Sequence, residues 1–125
     1  MDKKITKIDI ITRPSKLEEL KDALNSIGVL GMTVSQVYGC GLQRGHKEVF
    51  RGKEYDVNLV PKIKLETVVC EVPVEKVLEV AHQVLRTGKF GDGKIFVYEL
   101  ADAVRIRTGQ RGAEAIMDIP GEKPE

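Results

Sequence analysis

The stretch that decides the fold is GKFGDGKIFVY at residues 88–98, because the chain already contains a related stretch, GVLGMTVSQVY, at residues 28–38. Two glycines, a valine and a tyrosine recur sixty positions later: Gly28, Gly31, Val37 and Tyr38 become Gly88, Gly91, Val97 and Tyr98. The apolar positions before each copy show the same offset, with Leu17, Leu20 and Leu24 matching Val77, Val80 and Val84. The pattern indicates a β-α-β unit present twice. Two such units predict an α+β, ferredoxin-like βαββαβ sandwich, with a four-stranded antiparallel sheet and both helices on one face.

Local signals place the elements of each unit. Residues 4–12 are rich in β-branched side chains and predict the first strand. Ser15 followed by Glu18 predicts a capping box at the start of the first helix, and Gly28 is placed to end it. Further strands are expected over 32–41, 62–72 and 95–100, and a second helix from Val74 to Gly88. Residues 42–61 separate the halves as a long polar loop, for which a functional role and an idle solvated loop are the two alternatives.

The second copy carries a phosphate-binding signature. Three glycines within six positions can line a curve with backbone N–H groups, and Lys89 and Lys94 flank that curve. We expect Arg105 and Arg107 to alternate on one face of a strand and to point at the same place, which would suit a polyphosphate. The string nearly matches a Walker A motif, but Ile95 replaces its hydroxyl residue and the loop leads into a strand instead of a helix. A glycine-rich hairpin connection without a ligand is the alternative.

Composition limits the class of protein. A chain of 125 residues with 31% charged residues and a net charge of +1 is typical of one domain and argues against nucleic-acid binding. The sequence has no long apolar run and no signal-peptide pattern, so we expect a cytoplasmic protein that does not insert into membranes. Two cysteines and two histidines are too few and too scattered to indicate a zinc site.

Several motifs agree in order and spacing with one known family. They are Gly-Met-Thr at 31–33, Arg-Gly-Lys-Glu-Tyr at 51–55, Pro-Lys-Ile-Lys at 61–64, the glycine-rich stretch at 87–97 and Val-Arg-Ile-Arg-Thr-Gly at 104–109. Together they resemble the PII signal-transduction proteins of the GlnB/GlnK type, and the match runs from Lys4 to about Ile116. The resemblance implies a domain over 1–116 with a T-loop at about 41–58, a phosphate loop at about 86–94 and a C-terminal basic segment at about 102–112, followed by a flexible tail at 117–125.

The resemblance also implies a homotrimer that binds ATP or ADP in the clefts between subunits. It assigns phosphate binding to the glycine-rich loop and the two arginines, and the adenine and ribose side to the beginning and end of the second strand and to one valine. The nucleotide-binding residues implied are Thr33, Gly39, Gly41, Val68, Lys89, Gly91, Asp92, Gly93, Lys94, Arg105 and Arg107.

A second ligand of the family is 2-oxoglutarate, which binds together with Mg²⁺ and ATP. Gln43 stands where the family places its metal-binding and 2-oxoglutarate-binding glutamine, and Lys62 stands where it places a carboxylate-binding lysine. The family commonly has Gly-Phe-Gly-Arg-Gln at 39–43, where this chain reads Gly-Cys-Gly-Leu-Gln, so an aromatic and a cation are missing. A sensor of the ATP/ADP ratio without a 2-oxoglutarate response is therefore an open alternative.

The T-loop of the family docks on partner proteins. Arg51 matches the arginine that enters an ammonium channel, which would recruit the protein to the inner face of the membrane, and a metabolic enzyme is the other partner class. Tyr55 matches a tyrosine that some bacteria modify with a nucleotide, although it can equally be an unmodified contact residue. The resemblance implies a non-enzymatic regulator in nitrogen metabolism. A slow ATPase is the less favoured alternative, because Asp92 is the one candidate base beside the cationic loop.

Overall fold

The computed structural model describes residues 3–42, 48–50, 53–55 and 57–117, and its centre is a four-stranded antiparallel sheet. The strands of this sheet are β1 (Ile5–Thr12), β2 (Thr33–Leu42), β5 (Val57–Val69) and β6 (Lys94–Leu100), with β3 (Glu48–Phe50) and β4 (Lys53–Tyr55) forming a separate hairpin. The strand order is β2-β5-β1-β6, so each β-α-β unit contributes one inner and one outer strand. The predicted ferredoxin-like fold is confirmed.

Two helices cover one face of this sheet and bury the core. They are α1 (Leu17–Ser26) and α2 (Val74–Leu85), and neither of these described helices is long and apolar enough to cross a membrane. Alternate residues of the inner strands face the helices, which explains the apolar repeat in the sequence. Side chains with no exposed surface are Ile8, Ile10, Leu20, Leu24, Leu65, Val77 and Ala81.

The start of α1 differs from the expected capping box. Pro14–Lys16 forms a 3₁₀ turn in which the N–H of Lys16 donates to the carbonyl of Arg13 at 3.0 Å, and Lys16 occupies the N-cap of α1 without a side-chain cap. Proline fixes its own backbone for such a turn and keeps the preceding residue extended. Ser15 therefore lies inside the turn, and the predicted Ser15–Glu18 capping box is wrong.

The end of α1 is as predicted. Gly28 has φ of +95°. Its N–H donates to the backbone carbonyl of Asn25, and the N–H of Val29 donates to the backbone carbonyl of Leu24, both at 3.0 Å. This pair of hydrogen bonds is a Schellman motif, which needs the left-handed residue that glycine supplies.

The connection between the two halves is shorter than the predicted loop over 42–61. Leu42 pairs with Val57, so β2 and β5 continue well beyond the compact part of the sheet. Pro61 is part of β5 opposite Tyr38, and β1 pairs with β5 only as far as Ile63, so the missing N–H of the proline interrupts no ladder with β1. Residues 43–47, 51–52 and 56 lie outside the described part of the chain.

The C-terminal basic segment is a compact turn. Val104 bridges Arg111, and residues 106–108 form the turn between them. Asp102 accepts hydrogen bonds from Nε of Arg111 at 2.7 Å and from the N–H of Gly112 at 3.0 Å, which closes the segment. The expectation that Arg105 and Arg107 alternate along a strand is therefore wrong. Residues 118–125, most of the expected tail, lie outside the described residues.

The face of the sheet opposite the helices carries a cluster of four charged residues. Asp9 is 2% exposed and lies 3.5 Å from the Lys7 amine and 3.7 Å from the Lys64 amine. Glu66, which pairs with Asp9 across the strands, lies 3.3 Å from Lys7 and 3.2 Å from Lys64. Within the described chain, Oδ1 of Asp9 is buried without a hydrogen-bond partner. A buried carboxylate in the middle of an otherwise uncovered sheet face indicates that this face is built to be covered.

Candidate functional site

The glycine-rich loop joins α2 to β6 and packs against the end of β1. Gly88, Gly91 and Gly93 have φ of +84°, +95° and +103°, values that side-chain-bearing residues rarely adopt. A Cβ on Gly93 would lie 1.8 Å from the carbonyl oxygen of Ile11. Glycine is therefore required at this position for two reasons, its backbone conformation and the contact with β1.

Asp92 organises the loop. Its carboxylate accepts hydrogen bonds from the Thr87 hydroxyl, from the N–H groups of Thr87 at 2.8 Å and Gly88 at 2.9 Å, and from the guanidinium of Arg13. The Thr87 hydroxyl, followed by the Arg13 guanidinium, holds the pKa of Asp92 well below its usual range. The carboxylate thus stays ionised and is occupied by groups of its own chain.

Three successive carbonyl groups of the loop accept hydrogen bonds from the end of β1, from Arg13 directly after it and from β5. Nη2 of Arg13 donates to Phe90 at 2.8 Å, Nζ of Lys62 donates to Gly91 at 2.6 Å, and the Thr12 hydroxyl donates to Asp92 at 3.0 Å. The Phe90 side chain is fully exposed. The loop is therefore held in place by hydrogen bonds to its backbone carbonyls and to the Asp92 carboxylate.

The hydrogen bonds to the three carbonyls determine where the loop N–H groups point. The described chain has no cis peptide bonds, and in a trans peptide the N–H is directed opposite to the preceding carbonyl. The N–H groups of Gly91, Asp92 and Gly93 must therefore point away from Arg13, Lys62 and Thr12. Successive N–H groups of a loop can form an anion-binding nest. Lys89 and Lys94 of the same stretch are both exposed, and phosphate binding here stays a prediction.

Lys62 and Gly39 belong to the same region. The stem of Lys62 passes Gly39, where an added Cβ would lie 3.6 Å from Cγ of the lysine, and the lysine amine ends at the loop. The structure thus brings the residue expected to bind 2-oxoglutarate next to the residues expected to bind phosphate.

Two other residues expected on the adenine and ribose side lie apart from Gly39. Thr33 is exposed at the start of β2, and Val68 is half-buried near the end of β5. Thr33 and Gly39 are six residues apart on one strand, which corresponds to about 20 Å. The structure therefore places Thr33 and Gly39, both expected on the adenine and ribose side, far apart along β2.

The two arginines belong to the C-terminal turn. Arg105 is half-buried, and its guanidinium donates to Gln110 Oε1 and to the Ala115 carbonyl, each at 3.1 Å, and to the Met117 carbonyl. Arg107 is exposed within the turn. Arg105 is therefore fixed by hydrogen bonds to its own segment, in place of the predicted strand position.

The remaining predicted residues fall in or near the T-loop. Gly41 pairs with Asn58 where β2 and β5 extend, and Tyr55 pairs with Glu48 in the β3–β4 hairpin. Gln43 and Arg51 lie outside the described residues. Among the described residues, no three His, Cys, Asp or Glu side chains are grouped as a metal site.

The sequence interpretation missed Arg13, Thr12 and Thr87. In a ferredoxin-like sheet the end of β1 lies beside the start of β6, and here Ile11 pairs with Lys94. The polar residues that follow β1 were therefore candidates for contact with the loop once the fold had been predicted.

The comparisons with known proteins agree with this geometry. Residues 5–110 match the family model described as nitrogen regulatory protein P-II. The chain is 48% identical over 116 residues to the nitrogen regulatory PII-like protein of Bacillus subtilis (strain 168), covering 93% of this chain and 100% of that one.

Two solved structures are similar in fold. A GlnK–ATP complex of B. subtilis has a TM-score of 0.78 and 45% identity, with coverage of 92% of this chain and 98% of that one. A PII protein of Arabidopsis thaliana bound to citrate has a TM-score of 0.72 and 39% identity, with coverage of 91% and 94%. The chain belongs to the nitrogen regulatory protein P-II family.

Proposed function

We propose that this protein is a non-enzymatic regulator of nitrogen metabolism that binds ATP or ADP at the phosphate loop. The observation that carries the proposal is the row of three N–H groups at Gly91–Gly93, directed away from Arg13 and Lys62 and flanked by Lys89 and Lys94. The ATP complex of the related B. subtilis GlnK supports the choice of ligand.

The binding site is completed by a neighbouring subunit in a homotrimer. Thr33 and Gly39, both expected on the adenine and ribose side, lie about 20 Å apart along β2, so in this proposal they contact nucleotides in two different clefts. A second copy supplies Thr33, Val68, Arg105 and Arg107 to the adenine and phosphate groups held by the first. The uncovered charged face around Asp9 supports burial between copies.

A dicarboxylate is the proposed second ligand. In this proposal Gln43 binds Mg²⁺ next to the ATP phosphates, and Lys62 pairs with 2-oxoglutarate. The citrate-bound Arabidopsis relative supports a carboxylate ligand class. A sensor of ATP and ADP alone is the second candidate, because Cys40 and Leu42 stand where the family commonly has an aromatic residue and a cation.

The T-loop, at about 41–58, is the proposed output. Nucleotide state selects among T-loop conformations, and the selected shape binds a membrane transporter, of which an ammonium channel is the proposed example, or a metabolic enzyme. Arg51 is the proposed contact residue, and Tyr55 is either a further contact or a modification site. The protein works in the cytoplasm and is recruited to the inner face of the membrane by its transporter.

Calorimetric titration tests the ligand proposal. ATP and ADP are each titrated with and without Mg²⁺ and 2-oxoglutarate, and both nucleotides are expected to compete for one site per subunit. Gln43→Ala is expected to abolish the 2-oxoglutarate heat and to leave ATP binding measurable. Absence of any 2-oxoglutarate heat in the wild type would support the sensor of ATP and ADP alone.

Two further measurements test the output and the absence of catalysis. Steady-state ATP turnover is expected to stay below about one per minute, a rate far under typical enzyme values. Faster turnover that disappears in Lys94→Ala would establish an ATPase. Arg51→Ala is expected to lose capture by membranes containing the ammonium channel while retaining ATP binding.

A further inference from the structure

We propose that Arg13 and Asp92 are positioning residues, which shape the phosphate loop for the nucleotide without contacting it. The inference rests on the proposed nucleotide site and deepens it, because it assigns the geometry of that site to an ion pair between the loop and the residue that follows β1. The two residues lie 79 positions apart and are joined by Nη1 of Arg13 and Oδ1 of Asp92.

The ion pair has the connections that a positioning role requires. Arg13 uses both ends of its guanidinium, one on the Asp92 carboxylate and the other on the Phe90 carbonyl at 2.8 Å. Asp92 in turn fixes Thr87 and Gly88 at the beginning of the loop. The pair thus joins the beginning and the middle of the loop to the end of β1. A planar guanidinium fork suits such a two-sided contact better than an amine does.

Asp92 is poorly suited to contact phosphate itself. Its carboxylate carries a negative charge, and four donors of its own chain already occupy its two oxygens. Its lowered pKa keeps that charge in place at neutral pH. A direct contact between Asp92 and a polyanion would be repulsive. Asp92 therefore contributes to the site by orienting the N–H groups of the loop.

The substitution Asp92→Asn distinguishes a positioning effect of Asp92 from a purely electrostatic one, because the two predict opposite changes in ATP affinity. Coulomb's law alone predicts tighter ATP binding, because the change removes a negative charge near the phosphates. Positioning predicts weaker binding, since asparagine offers one acceptor oxygen to four donors and loses the ion pair with Arg13. We expect ATP affinity to fall by about tenfold or more, as when a supporting residue of a binding site is removed.

A double-mutant cycle, measured by ATP calorimetry on the full chain, tests whether Arg13 acts through Asp92. Arg13→Gln and Asp92→Asn are each expected to weaken binding, and the double variant is expected to stay within about threefold of the weaker single one. If Arg13 contacts phosphate directly, its removal from the Asp92→Asn background costs as much again, and that additivity would overturn the proposal. Lys16→Gln and Asp22→Asn make the same charge changes outside the loop and are expected to leave affinity unchanged.

Thermal unfolding and oligomer mass are recorded for every variant, so that a folding defect is recognised. If Asp92→Asn is unfolded at the assay temperature, Thr87→Val removes one donor to the same carboxylate without a charge change, and the same loss of affinity is expected. If Asp92→Asn or Thr87→Val binds ATP as tightly as wild type or more tightly, the positioning role is overturned and the proposed function remains intact. A wild-type protein that binds neither ATP nor ADP removes the proposed function, and the positioning role with it.

Discussion

The amine of Lys62 donates a hydrogen bond of 2.6 Å to the carbonyl oxygen of Gly91, and this contact ties β5 to the phosphate loop. Lys62 lies five residues after Val57, where β5 begins at the end of the T-loop. Any ligand that moves Gly91, or that takes the amine away from it, therefore acts on the strand that follows the T-loop. The contact gives the proposed coupling between nucleotide and T-loop a physical route.

Lys62→Met tests that contact. Methionine preserves most of the stem beside Gly39 but removes the amine that binds Gly91. Loss of one charged hydrogen bond is expected to weaken ATP binding by about fivefold or more, and 2-oxoglutarate should give no heat. Calorimetry measures both, with Lys76→Met on the exposed surface of α2 as the matched control. Unchanged affinity for both ligands would show that Lys62 supports neither site.

Gly93→Ala is expected to be one of the most damaging small substitutions in the loop. Its Cβ would meet the Ile11 carbonyl oxygen at 1.8 Å, and φ of +103° would add strain. Together these are expected to lower the free energy of unfolding by about 3 kcal/mol or more. Chemical denaturation measures this. Gly31→Ala is the control, because nothing lies within 4 Å of its added Cβ, and equal stability losses in the two variants would contradict the packing described here.

Acid should loosen the phosphate loop through Asp92. Hydrogen bonds from Thr87 and Arg13 lower the pKa of this carboxylate in the folded state, so its contribution to stability is complete above the unfolded-state pKa, about 4. That contribution is lost as pH falls through the lower folded-state pKa. The thermal midpoint should therefore decline below about pH 4, and decline less steeply in Asp92→Asn. If the thermal midpoints of the wild type and of Asp92→Asn fell equally with pH, Asp92 would not be the cause of the acid sensitivity.

Asp9→Lys tests whether the sheet face around Asp9 is buried between copies. The new amine would join Lys7 and Lys64 around a position that is 2% exposed. An uncompensated buried charge costs about 3 to 5 kcal/mol, so loss of the trimer and a lower unfolding midpoint are expected. Asp22→Lys makes the same change at an exposed position of α1 and should stay trimeric by analytical ultracentrifugation. A stable Asp9→Lys trimer would show that this face is not buried between copies.

The fold could be predicted from the sequence because local sequence patterns determine most of its elements. The apolar spacing of α1 and α2 and the glycine at position 28 each depend on residues a few positions away, and the sixty-residue repeat shows the same local pattern twice. The glycine-rich turn was recognised for the same reason, since its three glycines with positive φ lie within six positions of the chain.

The missed features depend on contacts that local patterns do not record. Arg13 reaches Asp92 across 79 positions only because β1 and β6 are neighbours in the sheet. The strand expected at Arg105 became a turn because Asp102 closes the segment onto Arg111 and Gly112. The capping box failed because Pro14 starts a 3₁₀ turn before the helix.

The most direct test of the central claim is an ATP titration of the wild type, of Lys94→Ala and of the control Lys76→Ala, with oligomer mass measured on the same samples. The account predicts a trimer that saturates at one ATP per subunit, an affinity reduced by about tenfold or more in Lys94→Ala, and no change in the control. A monomeric wild type that binds neither ATP nor ADP at millimolar concentration, or a Lys94→Ala variant with full affinity, would contradict it.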